Sequence, residues 1–296
     1  MKSKQTTSTL FAILAAALYA ISSPFSKLLL EKIPATMVAA LLYLGAGIGL
    51  SIVGIIQKKR GLQQQEQPLT KKELPYTIGM VVLDIAAPIF LMIGLTMTTA
   101  ANASLLNNFE IVATSVIALC VFKEAISKRL WLAIALITLS SVILSVQDIG
   151  SFSFSFGSLF VLLACVCWGF ENNCTRMLSS KNPLQIVVIK GICSGLGSLI
   201  IALTLGERVS NLWYILAVLV LGFIAYGLSI FFYIYAQREL GAAKTSAYYA
   251  IAPFIGVALS LVIFSELPDV SFIIALLIMV VGTYFASTDS KMQQIK

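Results

Sequence analysis

The sequence predicts an all-α integral membrane protein of ten transmembrane helices, built as two five-helix repeats inserted in opposite orientations. Three observations predict it. Apolar stretches of about 20 residues, the length that crosses a hydrocarbon core, succeed one another along all 296 residues. Nearly all the basic residues fall in every second gap between those stretches. Finally, segments at matching places in the two halves repeat one another in residue type and spacing.

The spans are read at 8–30, 35–57, 74–97, 100–122, 129–147, 156–178, 184–206, 212–236, 243–264 and 270–287. The first follows Lys2 and Lys4 as a signal peptide would, but it is too long for an h-region and lacks a small-residue cleavage site before Pro24, so it is read as a retained helix. The second carries Gly45, Gly47 and Gly49, and the seventh Gly191, Gly195 and Gly197, which suit close helix packing. Between the second and third, Gln57 to Glu73 with its Q-Q-Q-E-Q run reads as a flexible tether. Sixteen Lys and Arg lie on one side, grouped at 58–60, 71–72, 123–129, 176–181, 238–244 and the termini, against Lys27, Lys32 and Arg208 on the other. By the positive-inside rule both termini are cytoplasmic, in the cell membrane.

Composition excludes several classes of function. Hydrophobic residues make up 59% and charged residues 11%, against about 25% charged in a soluble domain. The net charge of +7 is spread over cytoplasmic helix ends, where contact with lipid headgroups accounts for it, and no nucleic-acid partner is expected. The chain has no histidine, which removes the usual proton shuttle, nucleophile–base pair and catalytic zinc site together. Its five cysteines all lie in apolar spans without a C-x-x-C pair and read as small hydrophobes. No metal and no cofactor are expected, and the chain is not expected to be an enzyme.

The duplication is legible in residues. T-A-A-N-A-S-L-L-N-N-F-E... F-K-E, from Thr99 to Glu124, meets G-A-A-K-T-S-A-Y-Y-A-I-A-P... F-S-E, from Gly241 to Glu266. At an offset of 142, Ala100, Ala101, Ser104, Phe122 and Glu124 align with Ala242, Ala243, Ser246, Phe264 and Glu266. At an offset of 149, Tyr19 meets Trp168, Lys27 meets Arg176 and Pro34 meets Pro183. An odd number of spans per repeat inverts the second copy, a construction recurrent in secondary transporters, whose site lies near the midplane between the copies. The repeats are taken as 1–149 and 150–296.

These A-A-x-x-S and F-x-E motifs, with the opening A-L-Y-A-I-S-S-P-F-S-K and its counterpart C-W-G-F-E-N-N-C-T-R at 167–176, resemble the EamA-type branch of the drug/metabolite transporter superfamily over essentially the whole chain. The resemblance implies a metabolite carrier with a cavity lined by spans one, three, four, six, eight and nine. Glu110-Ile111 departs from the Ala252-Pro253 found in the ninth span, which puts strict symmetry of function between the halves in doubt.

Ionisable side chains deep in a span cost about 2.5–3.5 kcal/mol on insertion scales and mark candidate sites. Four stand there: Asp84, Glu110, Glu171 and Lys190. Glu171 and Lys190 lie at nearly equal distances from the turn at Lys181 and Asn182, so they share a depth and can pair if their faces meet. Asp84 and Glu110 are likewise equidistant from the turn near residue 97. Two carboxylates in one dry site cannot both stay ionised easily, which makes Asp84 and Glu110 candidates for proton coupling. Asn107 and Thr114 share a face with Glu110, as Trp168 and Thr175 do with Glu171. By the repeat offsets Asp84 answers to Tyr226, Asn107 to Tyr249 and Glu171 to Ser22. The expected substrate site is therefore Glu171, Trp168, Lys190, Asn107, Tyr19, Asn172, Tyr226 and Tyr249, acidic on some walls and aromatic on others. Charges at span ends (Lys27, Glu31, Glu124, Arg176, Glu266) read as structural. The expectation is a proton-coupled secondary carrier for a cationic or zwitterionic amphipathic metabolite such as an amino acid or amine, the alternative being an uncoupled facilitator or channel-like pore.

Overall fold

The computed structural model describes residues 2–60, 67–123, 126–148, 153–178, 180–240, 245 and 248–292. These are helical except for connecting loops and a short antiparallel ladder, β1 (Val146–Asp148) with β2 (Ser153–Phe154), at the join of the two halves. The first span is α1 (Lys2–Ala20) followed, after a turn at Ile21, by α2 (Ser22–Leu30). Pro24 falls in the first turn of α2, where its missing N–H costs no helical bond. The second span is α3 (Ala35–Lys59) and the third α4 (Leu74–Met97). A capping box starts the 3₁₀ turn Lys71–Glu73 that leads into α4: Thr70 Oγ1 accepts from the Lys72 N–H at 3.3 Å, and Glu73 Oε2 accepts from the Thr70 N–H at 2.8 Å.

The fourth span is split into α5 (Ala100–Leu106) and α6 (Phe109–Phe122), with Asn107 and Asn108 in the turn between. Then come α7 (Lys128–Ser145), α8 (Phe156–Leu178) and α9 (Pro183–Thr204), the last capped by Asn182 Oδ1, which accepts from Leu184 and Gln185. The eighth span is α10 (Leu212–Gly222), a π-helical stretch Phe223–Leu228, and α11 (Ser229–Leu240). The chain closes with α12 (Ala252–Phe264) and α13 (Val270–Met292).

Nine helical stretches among the described residues are long and apolar enough to cross a membrane. The ninth expected span is shorter there: α12, with 13 residues, rises about 20 Å against a core of roughly 30 Å. Ala242, Ala243, Lys244 and Ser246, like Glu124 of the matching motif, lie outside the described residues.

The helices pack in a pattern that survives exchange of the halves. The fourth-to-sixth pairing (α6 on α8) has its mirror in ninth-to-first (α12 on α1), and third-to-sixth (α4 on α8) in eighth-to-first (α11 on α1). Second-to-eighth (α3 on α10) mirrors seventh-to-third (α9 on α4), while α3–α9 and α7–α13 map onto themselves. Backbone detail repeats too. Both α6 and α12 end on a residue in the left-handed region, Lys123 at φ 55° and Ser265 at φ 51°. These are the only non-glycine residues of positive φ among those described, and they lie at the 142-residue offset of the sequence repeat. Each helix is also preceded by a turn, at 107–108 and at 250–251.

The centre is held by backbone contact. A Cβ added at Gly191 would come 2.4 Å from the Gly47 nitrogen, so α3 and α9 meet with no side chain between them. Large aliphatics such as Ile52, Ile200, Val262 and Leu277 point outward and stay more than half exposed, as a lipid-facing belt requires.

Candidate functional site

The polar centre grows from the α3–α9 contact. Tyr43 stands one turn before Gly47 and Lys190 stands next to Gly191, so the glycine crossing draws these two side chains into one layer. Tyr43, only 2% exposed, donates its hydroxyl to Asp84 Oδ1 at 2.9 Å. Trp168 Nε1 in turn donates to the Tyr43 oxygen at 3.4 Å. Asp84 is wholly buried and lies one turn before Pro88, which has no N–H to give the Asp84 carbonyl. In the matching place of the other half the π-helical stretch surrounds Tyr226, so both spans interrupt their ladders at the aligned position.

Lys190 carries the centre's positive charge. Its Nζ lies 3.1 Å from Asp84 Oδ2, an ion pair outside hydrogen-bond alignment, and 3.0 Å from Glu171 Oε1. Thr175, one turn beyond Glu171, donates its hydroxyl to the same carboxylate oxygen. Glu171 is 2% exposed. With all three groups ionised, the triad would carry one net negative charge. Asp84 comes from the first half of the chain and Glu171 and Lys190 from the second, so the Asp84–Lys190 pair crosses between the halves while Glu171–Lys190 stays within one.

Glu110 belongs to a separate group. Gly169 lets α8 ride against the backbone at Ala113 and Thr114 of α6, which sets Asn172 opposite Glu110. Asn172 Nδ2 donates to Glu110 Oε1 at 2.6 Å and lies 3.3 Å from Thr114 Oγ1. Asn173 Nδ2 donates to the Gly169 and Thr114 carbonyls and stitches the same crossing.

Tyrosines link the charged layer to the first, eighth and ninth spans. Tyr43 lies 5.4 Å from Tyr226 between ring centroids, Tyr226 lies 5.9 Å from Tyr19, and Tyr19 lies 5.9 Å from Tyr249. Ser22 donates to the Tyr226 oxygen at 3.2 Å, and Ser229 contacts Tyr249 at 3.4 Å. Beside this row is a recess of about one water's size, lined by Tyr19, Ser23, Ser104, Asn107, Pro253 and Gly256, at the turns of the fourth and ninth spans.

Most of the expected site residues come together, but the pairing of the acids differs. Glu171 and Lys190, placed at one depth with their facing left open, do meet. Asp84 and Glu110, placed at one depth as proton-coupling candidates, join different groups: Asp84 shares Lys190 with Glu171, and Glu110 lies with Asn172. Equal depth holds for two residues anywhere on a hairpin, while pairing needs their helix faces to meet, and α4 turns Asp84 toward α3 and α9. The polar centre also draws on the second span through Tyr43 and on the seventh through Lys190, spans outside the expected lining. Lys190 is engaged by both carboxylates instead of standing open. Tyr43 was missed; its signal is a lone hydroxyl inside the aliphatic run A-A-L-L-Y-L-G-A-G, four residues before the packing glycine. Toward the end of α2, Lys27 donates to the Leu95 and Thr98 carbonyls where α4 stops.

Comparison with known proteins follows the same lines. The model of the EamA-like transporter family matches residues 6–146 and again 155–288. An uncharacterized transporter of Methanothermobacter thermautotrophicus is 26% identical over 300 residues, covering 94% of this chain and 85% of its own. The uncharacterized transporter YyaM of Bacillus subtilis is 22% identical over 237 residues, covering 75% of this chain and 76% of its own. A solved crystal structure superposes with a TM-score of 0.67 at 17% identity, over 97% of this chain and 99% of the other, a likeness of fold.

Proposed function

The chain belongs to the EamA-like transporter family, and from that premise we propose a proton-coupled secondary carrier that moves a small cationic or zwitterionic amphipathic metabolite across the cell membrane. It is a multi-pass membrane transporter and not an enzyme. In this reading ten spans form two oppositely inserted units, 1–149 and 150–296, with both termini cytoplasmic, and alternating access is a rocking of one unit against the other. The exchange-symmetric helix pairing, the left-handed ends of α6 and α12, and sixteen inside charges against three support it.

One observation carries the coupling: the buried Asp84–Lys190–Glu171 triad, whose inter-half ion pair must be remade when the halves move. Asp84 is then the group that gains and loses the proton, since neutralising it frees Lys190 to remain with Glu171 alone. Tyr19, Trp168, Tyr226 and Tyr249, with Asn107 and Asn172, supply stacking and hydrogen-bonding walls for the solute.

A thermal-shift screen of metabolites on the purified chain identifies the solute, and proteoliposomes test the coupling. Asp84→Asn is expected to retain solute counterflow and to lose accumulation driven by a pH gradient. Accumulation that persists in Asp84→Asn and in the Asp84→Asn/Glu171→Gln double variant refutes proton coupling and leaves an uncoupled facilitator.

A further inference from the structure

Oxygen atoms converge where three interrupted spans meet. The one-water recess is lined by Tyr19, Ala20 and Ser23 of the first span, Ser104 and Asn107 of the fourth, and Gly256 of the ninth. Each of those spans breaks beside it, at Ile21, at Asn107 and Asn108, and at 250–251 ahead of α12. Ala20 ends α1, and Pro24, four residues on, has no N–H to offer its carbonyl. Ser104 is 3% exposed and its hydroxyl has no hydrogen-bond partner. A buried hydroxyl in that state costs free energy until something binds it. Both oxygens face one spot: a Cβ added at Gly256 would lie 2.9 Å from Ser104 Oγ and 3.2 Å from the Ala20 carbonyl oxygen. Gly256 therefore keeps open a cradle that any side chain would fill.

The size and the chemistry of the cradle restrict its occupant. A space of about one water's size has no room for the head of an organic solute. The Ala20 carbonyl can only accept, so an anion is excluded beside it. No carboxylate lines the recess, and carboxylates are what Ca²⁺ and Mg²⁺ require. Backbone carbonyls freed by broken spans, joined by neutral oxygens, are the ligands that carriers offer Na⁺. The missing histidines and the absence of any His, Cys, Asp and Glu cluster among the described residues exclude zinc-type sites. They leave an alkali cation untouched.

We propose that this recess binds a single dehydrated Na⁺, held by Ser104 Oγ and the Ala20 carbonyl with Ser23, Tyr19 and Asn107 around it, and covered by Gly256. The site goes beyond the proton-coupled reading and does not rest on it, since none of these residues belongs to the triad. Its oxygens all come from the first half of the chain and its cover from the second. A bound ion therefore favours the arrangement in which the ninth span closes over the first and fourth.

The test uses the purified full-length chain in detergent at constant ionic strength. Replacing choline chloride with sodium chloride is expected to raise the unfolding temperature saturably, and potassium chloride is expected to act more weakly. Ser104→Ala should weaken the Na⁺ effect about tenfold or more, and Gly256→Ala should abolish it by filling the cradle. In choline, Ser104→Ala should melt no lower than the natural chain, because the hydroxyl it removes is unpartnered. Equal melting of the natural chain in Na⁺, K⁺ and choline leaves only a water in the recess and overturns the site. A Na⁺ effect undiminished in Ser104→Ala overturns it too, as does a Ser104→Ala chain that melts lower in choline. Asp84→Asn locates the ion without altering the recess: the Na⁺ effect should persist there. Its loss in Asp84→Asn assigns the ion to the triad and overturns the proposal, whereas a failure of proton coupling in proteoliposomes with the Na⁺ effect intact removes only the earlier reading.

Discussion

Lys190 sits where removing a side chain should be felt most. With Nζ 3.0–3.1 Å from two buried carboxylates, Lys190→Met leaves two like charges in a dry layer, and stripping one partner from a buried ion pair costs about 3–5 kcal/mol. Adding Asp84→Asn to Lys190→Met should recover part of that loss, because only one anion then remains. Thermal unfolding in detergent reads both variants, and a double variant less stable than Lys190→Met alone contradicts the triad. Tyr43→Phe removes the hydroxyl donated to Asp84 Oδ1. A hydrogen bond to a charged group is worth about 1.5–3 kcal/mol, so a loss of that order is expected by the same measurement, and no loss would mean the bond does not hold Asp84.

At the scale of elements, the two strained helix ends make a separate prediction. Lys123 and Ser265 hold left-handed backbone at φ 55° and 51°, a region that costs a side-chain-bearing residue about 1–2 kcal/mol and glycine almost nothing. Lys123→Gly and Ser265→Gly should each stabilise the protein by up to about 1 kcal/mol, part of the relief being offset by glycine's greater freedom in the unfolded chain. If both destabilise, the left-handed ends are not those the protein adopts. The opposite holds at the α3–α9 crossing, where Gly191→Val drives methyl groups into the Gly47 backbone. Overpacking of that kind costs about 1–3 kcal/mol, and the displaced Lys190 should make transport fall more steeply than stability. Variants that unfold earlier yet keep full transport would separate the glycine contact from the site.

For the whole molecule the testable quantity is topology. Cysteines placed at Gln64 and Ser151, both outside the described residues, should react with a membrane-impermeant reagent from opposite faces, Gln64 from inside. Same-side labelling would end the inverted-repeat arrangement. Symmetry of packing does not carry over to the chemistry. The first half supplies Asp84 and Glu110 where the second supplies Tyr226 and Ala252 at the same offset, and the second supplies Glu171 where the first has Ser22.

Hydropathy, basic-residue placement and the 142-residue repeat specify membrane class, family and most span limits, because each depends on local composition that the bilayer reads directly. The depth of Glu171 and Lys190 was legible too, since helical rise converts residue count into height. Azimuth was not. Which way Asp84 points depends on how α4 rolls against α3 and α9, which themselves cross at Gly47 and Gly191, residues 144 positions apart. Hence the sequence alone yields four buried ionisable residues at mid-membrane. Only the tertiary packing sorts them into a triad around Lys190 and a solitary Glu110, because pairing depends on which faces the helices turn to one another.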